Sequence, residues 1–444
     1  MSLGQYALAW MSLDVVVGLQ RGDEGKGRFV DLVAKDYAII ARGNGGSNAG
    51  HTVMPDTLEP LALHQVPSGI SRPGKLNVIG NGVYVDPRRL VDELADVRAA
   101  GFKVSPENLL ISDAAHLVLP HHIGLDGLRE NSLKAQGSTR SGIAYVAADK
   151  YLREGVRLEN AWLPKILRER ATDGLRSLNE QLPASKRKSP VEINEIVEHW
   201  LETVETLKPY LADTVEIINN KLNEGEAVLA EGAQAFWLDV NHGMYPSVTS
   251  SSTTVAGLLD GLGVSAKHLG KITGVAKSVK SHVGSGPFVT EITDETLANN
   301  VRGSFGLADS EYGATTSRPR RIGYPDLVEL RNAIRINGID ELALSKLDHV
   351  PRYGKTVKAA TSYTYKGQER LTAPTSALAL AECTPNYKTY PTWTHDISEM
   401  HDFANLPPEA AAFVKMFEDE LKIPVTKIGV GPSRSQVIQR PGER

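Results

Sequence analysis

The chain of 444 residues carries 49 basic and 53 acidic side chains, with a formal net charge of −4 and no basic footprint for a nucleic-acid partner. A single cysteine, Cys383, excludes an internal disulfide framework and suits a reducing cytoplasm. No apolar run is long enough to span a membrane and no signal peptide is evident, so the composition predicts a cytoplasmic protein without a membrane partner.

The start of the chain repeats the tripeptide MSL, at 1–3 and 11–13. We expect residues 1–12 to be an extraneous or disordered start without function. Residues 13–440 are expected to form a single domain, because an α/β protein of this size can keep one extended sheet.

The first predicted elements are a strand, a glycine-rich turn and a helix. The β-branched run at 15–17 predicts a buried strand. The glycines of GLQRGDEGKG (18–27) can take positive φ and approach a ligand closely. From Lys26 the apolar residues Phe29, Val30 and Val33 fall on one helical face. This order of elements is typical of a cradle in which backbone N–H groups and a helix N-terminus face phosphates.

The loop departs from a Walker A motif, with Gln20 where the first glycine belongs and Gly27 where a hydroxyl would bind magnesium. Asp23 lies inside it, and phosphates repel a carboxylate there unless a cation intervenes or the carboxylate acts as a base. A second glycine-rich turn at 43–52 ends near His51, which can donate to a phosphoryl oxygen. A bare glycine loop would indicate only a tight turn, whereas this combination favours phosphate chemistry.

Further along the chain, strands and helices continue to alternate. The span 157–225 is predicted to be mainly helical, with an exposed basic loop at 183–190. Its apolar residues recur at helical spacing: Ile193, Ile196, Trp200, Val204 and Leu207. Strand-like segments return at 227–229, 272–275 and 342–344, each leading into a polar motif. The pattern predicts an α/β fold with a large mixed, mostly parallel sheet and ligand-binding loops at the strand ends.

The stretch TTSRPRR (315–321) places three arginines after two threonines. Guanidinium forks bind carboxylates in a bidentate manner, and a dicarboxylic amino acid needs two of them. Without other context, the same stretch would be interpreted as an exposed basic turn.

The tetrapeptide SKLD (345–348) follows an apolar stretch and places Lys346 and Asp348 on one side of a predicted extended segment. A carboxylate there can accept hydrogen bonds from N1–H and from the exocyclic amine of guanine, a donor pair that adenine lacks. Lys-x-Asp alone is usually a surface charge pair, so its meaning depends on whether it lies beside the phosphate loop.

These motifs resemble the adenylosuccinate synthetase family, whose two glycine-rich signatures are matched by QRGDEGKG (20–27) and GGSNAGHT (45–52). Further blocks follow in family order: HQVPSGI, IGNGVYVDP, AHLVLPHH, EGAQAFWLDVNHGMYPSVTSSSTT, VGSGPFVTE, EYGATTSRPRRIGYPDL, SKLD and VGPSR. The resemblance spans nearly the whole chain. It implies a P-loop-like GTP-binding ligase fold with helical and loop insertions.

The resemblance implies GTP-dependent ligation of L-aspartate to IMP through 6-phosphoryl-IMP, giving adenylosuccinate, GDP and phosphate in AMP synthesis. Asp23 would remove the N1 proton as general base. His51 and Lys26 would neutralise charge on the transferred phosphoryl group, and Gln234 completes the implied catalytic set. One Mg²⁺ per site would be held by Asp23 and the carbonyl of Gly50.

The resemblance also implies three binding sets. The GTP set is Gly22, Glu24, Gly25, Lys26, Gly27, Gly50, His51, Thr52, Lys346, Asp348, Gly429, Gly431 and Pro432. The IMP set is Asp23, Asn48, Thr139, Arg153, Gln234, Thr249 and Arg318, with Arg153 reaching the neighbouring subunit's site in a homodimer. The aspartate set is Val283, Gly313, Thr315, Thr316, Arg318 and Arg320.

The chain departs from the family pattern at several positions, which suggests a divergent branch: Arg21 (often Trp), Asn44 (often Gln), Ser141 (Arg), Tyr145 (Pro), His282 (often Arg), Pro319 (often Arg) and Gly429 (usually Ser). The glycine at 429 is expected to remove at most one side-chain hydrogen bond.

Two alternatives stay open. One is a paralogue that acts on a guanine nucleotide, GMP or dGMP. Such relatives tend to replace the loop aspartate with a smaller residue, so Asp23 favours IMP. The other is a GTP-binding regulatory module without catalysis, which would need neither Asp23 nor His51.

Overall fold

The computed structural model describes residues 12–55, 60–133, 137–306, 310–313 and 318–441. The strands are β1 Leu13–Gly18, β2 Ile39–Arg42, β3 His51–Val53, β4 Leu61–Leu63, β5 Leu76–Ile79, β6 Tyr84–Val85, β7 Leu109–Ser112, β8 His116–Leu117, β9 Leu211–Ala212, β10 Val228–Glu231, β11 Leu269–Lys277, β12 Lys280–His282, β13 Arg321–Gly323, β14 Glu341–Ser345, β15 Thr356–Tyr365, β16 Gln368–Arg370, β17 Thr384–Pro391, β18 Val425–Gly429 and β19 Val437–Gln439. The helices are α1 Lys26–Val33, α2 Pro87–Ala99, α3 Pro120–Glu130, α4 Ile143–Leu152, α5 Pro164–Glu180, α6 Pro190–Leu207, α7 Thr214–Asn223, α8 Val255–Leu262, α9 Glu295–Arg302, α10 Leu327–Asn337, α11 Ala377–Ala381 and α12 Pro408–Leu421.

Within the described residues, ten strands form one sheet in the order β19-β18-β14-β11-β1-β10-β2-β5-β7-β9. Neighbouring strands run parallel, except that β19 pairs antiparallel with β18 at one edge. The apolar strand β1 lies at the centre with Val16 opposite Glu231 of β10 and Gly18 opposite Val275 of β11. The mixed, mostly parallel sheet predicted from the sequence is confirmed.

The strand order places the polar motifs at one edge of the sheet. The chain moves from β1 to β2 on one side, whereas β11, β14 and β18 lie on the other. Because these strands are parallel, their carboxyl ends meet at the same edge, where open α/β sheets bind ligands. The segments after β1, β10, β11 and β14 all start there.

The two largest apolar clusters of the described residues support the sheet. One surrounds the central strands, and the other lies beneath α2, α5 and α6. Helix α6 begins with a capping box in which Ser189 Oγ accepts from the Glu192 N–H at 3.3 Å and Glu192 Oε2 accepts from the Ser189 N–H at 2.7 Å. Its buried Trp200 donates Nε1–H to the Val118 carbonyl at 3.2 Å. In the described part of the chain, no helix combines the length and apolarity that a membrane span requires.

The local predictions around the motifs are mostly confirmed, with one exception. Helix α1 begins at Lys26 as expected, directly after Gly25 in a left-handed conformation (φ 84°). The predicted extended SKLD segment is wrong, because β14 ends at Ser345 and Lys346 takes a left-handed conformation (φ 59°). A short 3₁₀ turn then starts at Leu347. The Lys346 amine pairs with a buried carboxylate described below.

Three glycines let backbone segments meet beneath the site. Gly82 donates its N–H to the Gly261 carbonyl at 3.0 Å, where the turn after β5 touches α8. A Cβ on Gly261 would overlap the Gly43 carbonyl group at the end of β2, lying 2.8 Å from its carbon atom. Side chains are therefore excluded from this contact.

We expect Gly261→Ala to destabilise the protein by about 2–3 kcal/mol, since overpacking against backbone has no flexible group to yield. The matched control is Gly127→Ala in the middle of α3, where an added Cβ meets nothing within 4 Å. That change should stabilise by about 0.5–1 kcal/mol through the higher helix propensity of alanine. Urea unfolding measures both, and a neutral Gly261→Ala would contradict the packing argument.

Candidate active site

A cavity of about 260 Å³ lies at the carboxyl edge of the sheet. It is lined by both glycine-rich turns, the segments 137–139 and 246–250, and the loop after β12. Eleven of the residues predicted from the sequence line it: Gly22, Asp23, Lys26, Asn48, Gly50, His51, Thr139, Gln234, Thr249, Val283 and Gly313. The structure thus brings together most of the predicted catalytic, IMP and metal residues.

Other predicted residues lie outside this cavity lining: Glu24, Gly25, Gly27, Thr52, Arg153, Arg318, Arg320, Lys346, Asp348, Gly429, Gly431 and Pro432. Arg320 nevertheless reaches the cavity through Asp23. Arg153 lies exposed at the end of α4. Thr315 and Thr316 lie outside the described residues.

The side chain of Glu24 stabilises the conformation of the phosphate loop. Gly22, Asp23 and Gly25 all have positive φ, of 93°, 57° and 84°. The buried Glu24 carboxylate accepts from the N–H groups of Gln20 at 3.2 Å and Gly22 at 2.8 Å, and pairs with Lys26 at 2.7 Å. Glu24 therefore binds the loop itself, and Lys26 is positioned by that ion pair at the start of α1.

Asp23 is an ionised carboxylate at the cavity wall. Its Oδ2 lies 2.7 Å from Nη2 of Arg320. Burial alone would raise the pKa of Asp23, but Arg320, Lys277 and Lys26 together lower it below its usual value. The carboxylate is therefore available to accept a proton or to bind a cation.

The sequence did not reveal Glu311, which organises the cations around Asp23. This buried carboxylate pairs with Arg320, with Lys277 at 3.4 Å and with Lys346. Burial would raise the pKa of Glu311, but Lys277, Lys346 and Arg320 hold it well below its usual range. The SKLD segment is thus connected to the phosphate loop by a series of ion pairs that runs from Lys346 to Glu311, to Arg320 and to Asp23. The block EYG gave no sign of this role because the partners are distant in sequence.

His51 forms a buried dyad with Glu231, the last residue of β10. Nδ1 of His51 contacts Oε1 of Glu231, whose carboxylate also accepts from the Ser68 N–H at 2.7 Å and from Ser68 Oγ at 2.6 Å. Burial lowers the pKa of His51, with Glu231 opposing that shift. Burial would raise the pKa of Glu231, but His51 and Arg42 lower it. An ionised carboxylate only accepts hydrogen bonds, so Nδ1 carries the proton and Nε2 is left for a ligand.

The sequence analysis included Glu231 in a family block without giving it a role. The only available signal was its position at the end of a buried strand, where a charged residue is uncommon unless it has a partner.

The predicted IMP residues form a connected chain of side chains. Gln234 Nε2 donates to Asn48 Oδ1 at 3.1 Å, and Asn48 Nδ2 donates to Thr249 Oγ1 at 3.3 Å. Among the described residues, buried Oε1 of Gln234 has no hydrogen-bond partner. Asn44 fixes this wall by exchanging two hydrogen bonds with the backbone of Ala233, at 2.9 and 3.1 Å. Three of the predicted IMP residues are thus joined directly to one another by side-chain hydrogen bonds.

Two of the departures from the family pattern hold the loop after β12. Arg21 pairs with the buried Glu329 at 2.5 Å, donates to the Pro287 carbonyl at 2.8 Å and lies 5.0 Å from the Phe288 ring centroid. His282 Nε2 lies 3.1 Å from the Ser285 carbonyl. Burial and the nearby Arg21 lower the pKa of His282 to about 3, so its ring is neutral.

Ser141 Oγ, where the family has a guanidinium, accepts from Nη1 of Arg89 at 3.0 Å. Nothing in the structure explains the departures at Tyr145 and Pro319.

The Asp23 carboxylate and the Gly50 backbone lie on the same cavity, and their oxygens suit Mg²⁺, which usually takes one or two carboxylates together with substrate phosphates. A separate group, His121, His122 and Asp149, has its ligand atoms within 4.8 Å of one another. The Leu119 N–H donates to Nδ1 of His122 at 3.1 Å, so Nε2 carries the proton and donates to Asp149 at 2.9 Å. That nitrogen has no lone pair for a metal ion, and the group is a hydrogen-bonded cluster.

Comparisons with known proteins agree with this geometry. The family model of adenylosuccinate synthetase matches residues 15–438. The adenylosuccinate synthetase of Chlorobium phaeobacteroides is 39% identical over 431 residues, covering 97% of this chain and 98% of that protein. That of Brevibacillus brevis is 39% identical over 430 residues, covering 96% and 98%.

Two solved structures share the fold. Fully ligated adenylosuccinate synthetase from Plasmodium falciparum superposes with a TM-score of 0.88 at 30% identity, covering 97% of this chain and 100% of that one. Succinoaminodeoxyadenylate synthetase of cyanophage S-2L, bound to dGMP and to dATP as an energy donor, has a TM-score of 0.58 at 20% identity, covering 97% and 95%. The sequence and structural matches extend over almost the whole length, and the chain belongs to the adenylosuccinate synthetase family.

Proposed function

We propose that this protein joins L-aspartate to C6 of IMP with transfer of the γ-phosphoryl group of GTP, through 6-phosphoryl-IMP, and releases adenylosuccinate, GDP and phosphate. The observation that carries the proposal is an ionised Asp23 in the same cavity as the phosphate loop, Lys26 and the His51–Glu231 dyad. Family membership supports the same reaction.

In the first step, Asp23 removes the proton from N1 of IMP, and the negative charge makes O6 nucleophilic. O6 then forms a bond to the γ-phosphorus while the bond to the β,γ-bridging oxygen breaks and GDP leaves. Lys26 and His51, which takes up a proton at Nε2 when the phosphates bind, neutralise the charge that develops on the phosphoryl oxygens. In the second step, the amine of aspartate attacks C6, phosphate leaves and the amine loses a proton.

We assign the binding of one Mg²⁺ to Asp23 and the carbonyl of Gly50. When bound, this ion supplies positive charge that compensates the phosphate oxygens and removes their repulsion toward Asp23. Lys26 adds a second cation on the other side of the phosphate loop.

We assign aspartate to the wall formed by Val283 and Gly313, with Arg318 and Arg320 as its carboxylate partners. By the family resemblance, Thr315 and Thr316 belong to the same set. The pairing of Arg320 with Glu311 and Asp23 fixes its guanidinium at the cavity. The IMP phosphate, sugar and base are assigned to Asn48, Thr139, Gln234 and Thr249.

Asp23 favours IMP over a guanine nucleotide as acceptor, because a carboxylate at this point of the loop takes the space that a 2-amino group would need. The higher structural similarity to an adenylosuccinate synthetase, with TM-scores of 0.88 against 0.58, supports the same choice. The alternative of a regulatory module has no use for Asp23 or for a buried dyad at His51.

We also propose a cytoplasmic homodimer in which Arg153 completes the partner's IMP site. Arg153 is exposed and held in a left-handed conformation (φ 63°) at the end of α4. Large apolar side chains are exposed in the segments beside it: Tyr151, Leu152, Trp162 and Leu163. Exposed apolar side chains at this density are typical of an interface.

A phosphate-release assay with GTP, aspartate and one acceptor tests the reaction. IMP should support turnover, whereas GMP and dGMP should not. Asp23→Ala should reduce kcat by about 10²–10⁴-fold, the usual contribution of a general base, while GTP binding survives because the cradle is mainly backbone. Asp36→Ala, exposed in the turn between α1 and β2 and outside the cavity lining, is the matched control. Near wild-type turnover in Asp23→Ala would remove the base assignment.

Binding of a non-hydrolysable GTP analogue should take up a proton at His51. Burial holds its pKa below the usual 6.5 in the free protein, and phosphate charge at Nε2 raises it in the complex. Because the pKa of His51 is raised in the complex, the affinity gained from its protonated ring is present at low pH. That affinity is lost as pH rises through the pKa of His51 in the complex.

Titration calorimetry in two buffers of different ionisation enthalpy measures this uptake near pH 7. His51→Asn should abolish the buffer dependence, and the exposed His199→Asn should keep it. Equal heats in both buffers for the wild type would show that His51 stays neutral.

The shared site predicts complementation between two inactive variants. Asp23→Ala and Arg153→Leu should each be nearly inactive as homodimers, but a hybrid dimer contains one intact and one doubly damaged site. After equal mixing and full exchange, half of the dimers are hybrids, so about a quarter of wild-type activity should return. Exchange confirmed by mass spectrometry without recovered activity would place Arg153 in its own chain's site or in none.

A further inference from the structure

Arg28, in the first turn of α1, is a buried cation that the proposed reaction does not use. Its side chain is 8% exposed, and its guanidinium Nη1 donates to the Gly431 carbonyl. A Cβ on Gly429 would overlap the guanidinium, lying 2.9 Å from Cζ. The serine usual at position 429 in the family would therefore require the Arg28 guanidinium to leave this position. The glycine does more than remove one hydrogen bond, as the sequence suggested, because it makes room for the arginine.

Arg28 shares its environment with Asp348. Burial lowers the pKa of Arg28 to about 10, and the Asp348 carboxylate opposes that shift. Burial raises the pKa of Asp348, and Arg28 is among the cations that oppose it. Asp348 follows β14 and Gly431 follows β18, and these two strands are adjacent and parallel, so the contact between Arg28 and Gly431 lies at the same edge of the sheet as Asp348. The family resemblance assigns the nucleotide base to this edge.

Arg28 is not needed to fasten the loop at 430–434 to α1. Arg434 already does this through a bidentate ion pair with Asp31, at 2.5 and 2.7 Å. A guanidinium has five N–H donors, and the hydrogen bond to Gly431 is the one that Arg28 makes among the described residues. A buried arginine with spare donors beside a base-binding carboxylate is suited to bind a ligand.

We propose that Arg28 recognises the O6 and N7 acceptors of guanine while Asp348 accepts from its N1–H and 2-amino groups. These two edges of the base adjoin each other, and a guanidinium fork matches O6 and N7 in a bidentate manner. Adenine presents an amine where guanine has O6, so it would place a donor against a donor. The inference rests on the proposed use of GTP and identifies a second base-specificity residue for it.

Equilibrium binding of diphosphates by calorimetry tests this assignment without IMP or aspartate. GDP is compared with 7-deaza-GDP, which lacks the N7 acceptor, with 6-thio-GDP, which weakens the O6 acceptor, and with IDP, which lacks the 2-amino group. Arg28→Met should weaken GDP about ten- to a hundredfold, from the usual worth of a bidentate pair. It should weaken 7-deaza-GDP and 6-thio-GDP much less, while the preference for GDP over IDP remains because Asp348 sets it. Arg28→Lys keeps the charge without the fork and should lose most of the N7 discrimination.

Arg434→Met is the matched control, because it loosens the same loop without removing a group from the base. It should weaken all four diphosphates by the same factor. If Arg28→Met behaves in that way, Arg28 only positions the loop and the inference fails. Unchanged GDP affinity in a folded Arg28→Met protein also overturns it. Turnover of IMP by the wild type is measured separately, so a failed ligase reaction and a failed base contact are distinguished.

Discussion

The site depends on one buried carboxylate, that of Glu311, which gathers cations from three parts of the chain. Lys277 comes from the end of β11, Lys346 from the turn after β14, and Arg320 from the segment directly before β13. Three cations this close in a poorly solvated interior repel one another, and burial is tolerated only when such charges are paired. Because the cations keep Glu311 ionised, the same carboxylate fixes where Arg320 meets Asp23. The proposed catalytic carboxylate, Asp23, is thus positioned through Arg320 by a second carboxylate.

This arrangement has a chemical consequence for Asp23. A carboxylate beside a guanidinium has a lowered pKa and is a correspondingly weak base. Any group that draws Arg320 away raises the proton affinity of Asp23, and the carboxylate of the proposed aspartate substrate is such a group. In contrast, Glu231 is enclosed with His51 and Ser68 and keeps its partners. Asp23 and Glu231 therefore differ in their proposed roles. Asp23 can exchange its partner Arg320 for another group, whereas Glu231 keeps its partners.

Much of the fold and of the candidate site could be predicted from the sequence, since the signals are local. Strand β1 is indicated by its β-branched run, and the glycine turn before Lys26 is indicated by the glycines themselves. Both signals lie in residues adjacent in the chain. The features that sequence reasoning missed depend on contacts between distant residues. Glu311 meets its partners across 9 to 35 positions, and His51 meets Glu231 across 180. The prediction of an extended SKLD segment was wrong because β14 ends at Ser345 and Lys346 takes a left-handed conformation, which the local pattern of the tetrapeptide does not indicate.

Helix α1 contacts two parts of the proposed nucleotide site, the phosphate loop and the C-terminal loop. Lys26 begins the helix at the phosphate loop, whereas Arg28 and Asp31 bind the C-terminal loop through Gly431 and Arg434. Residues three apart share one helical face, while residues two apart are turned by about 200° at 3.6 residues per turn. Arg28 and Asp31 therefore lie on one side and Lys26 on the other. A movement of α1 would displace Lys26 and the C-terminal loop together, so the proposed phosphate and base contacts would move as one through a helix of eight residues.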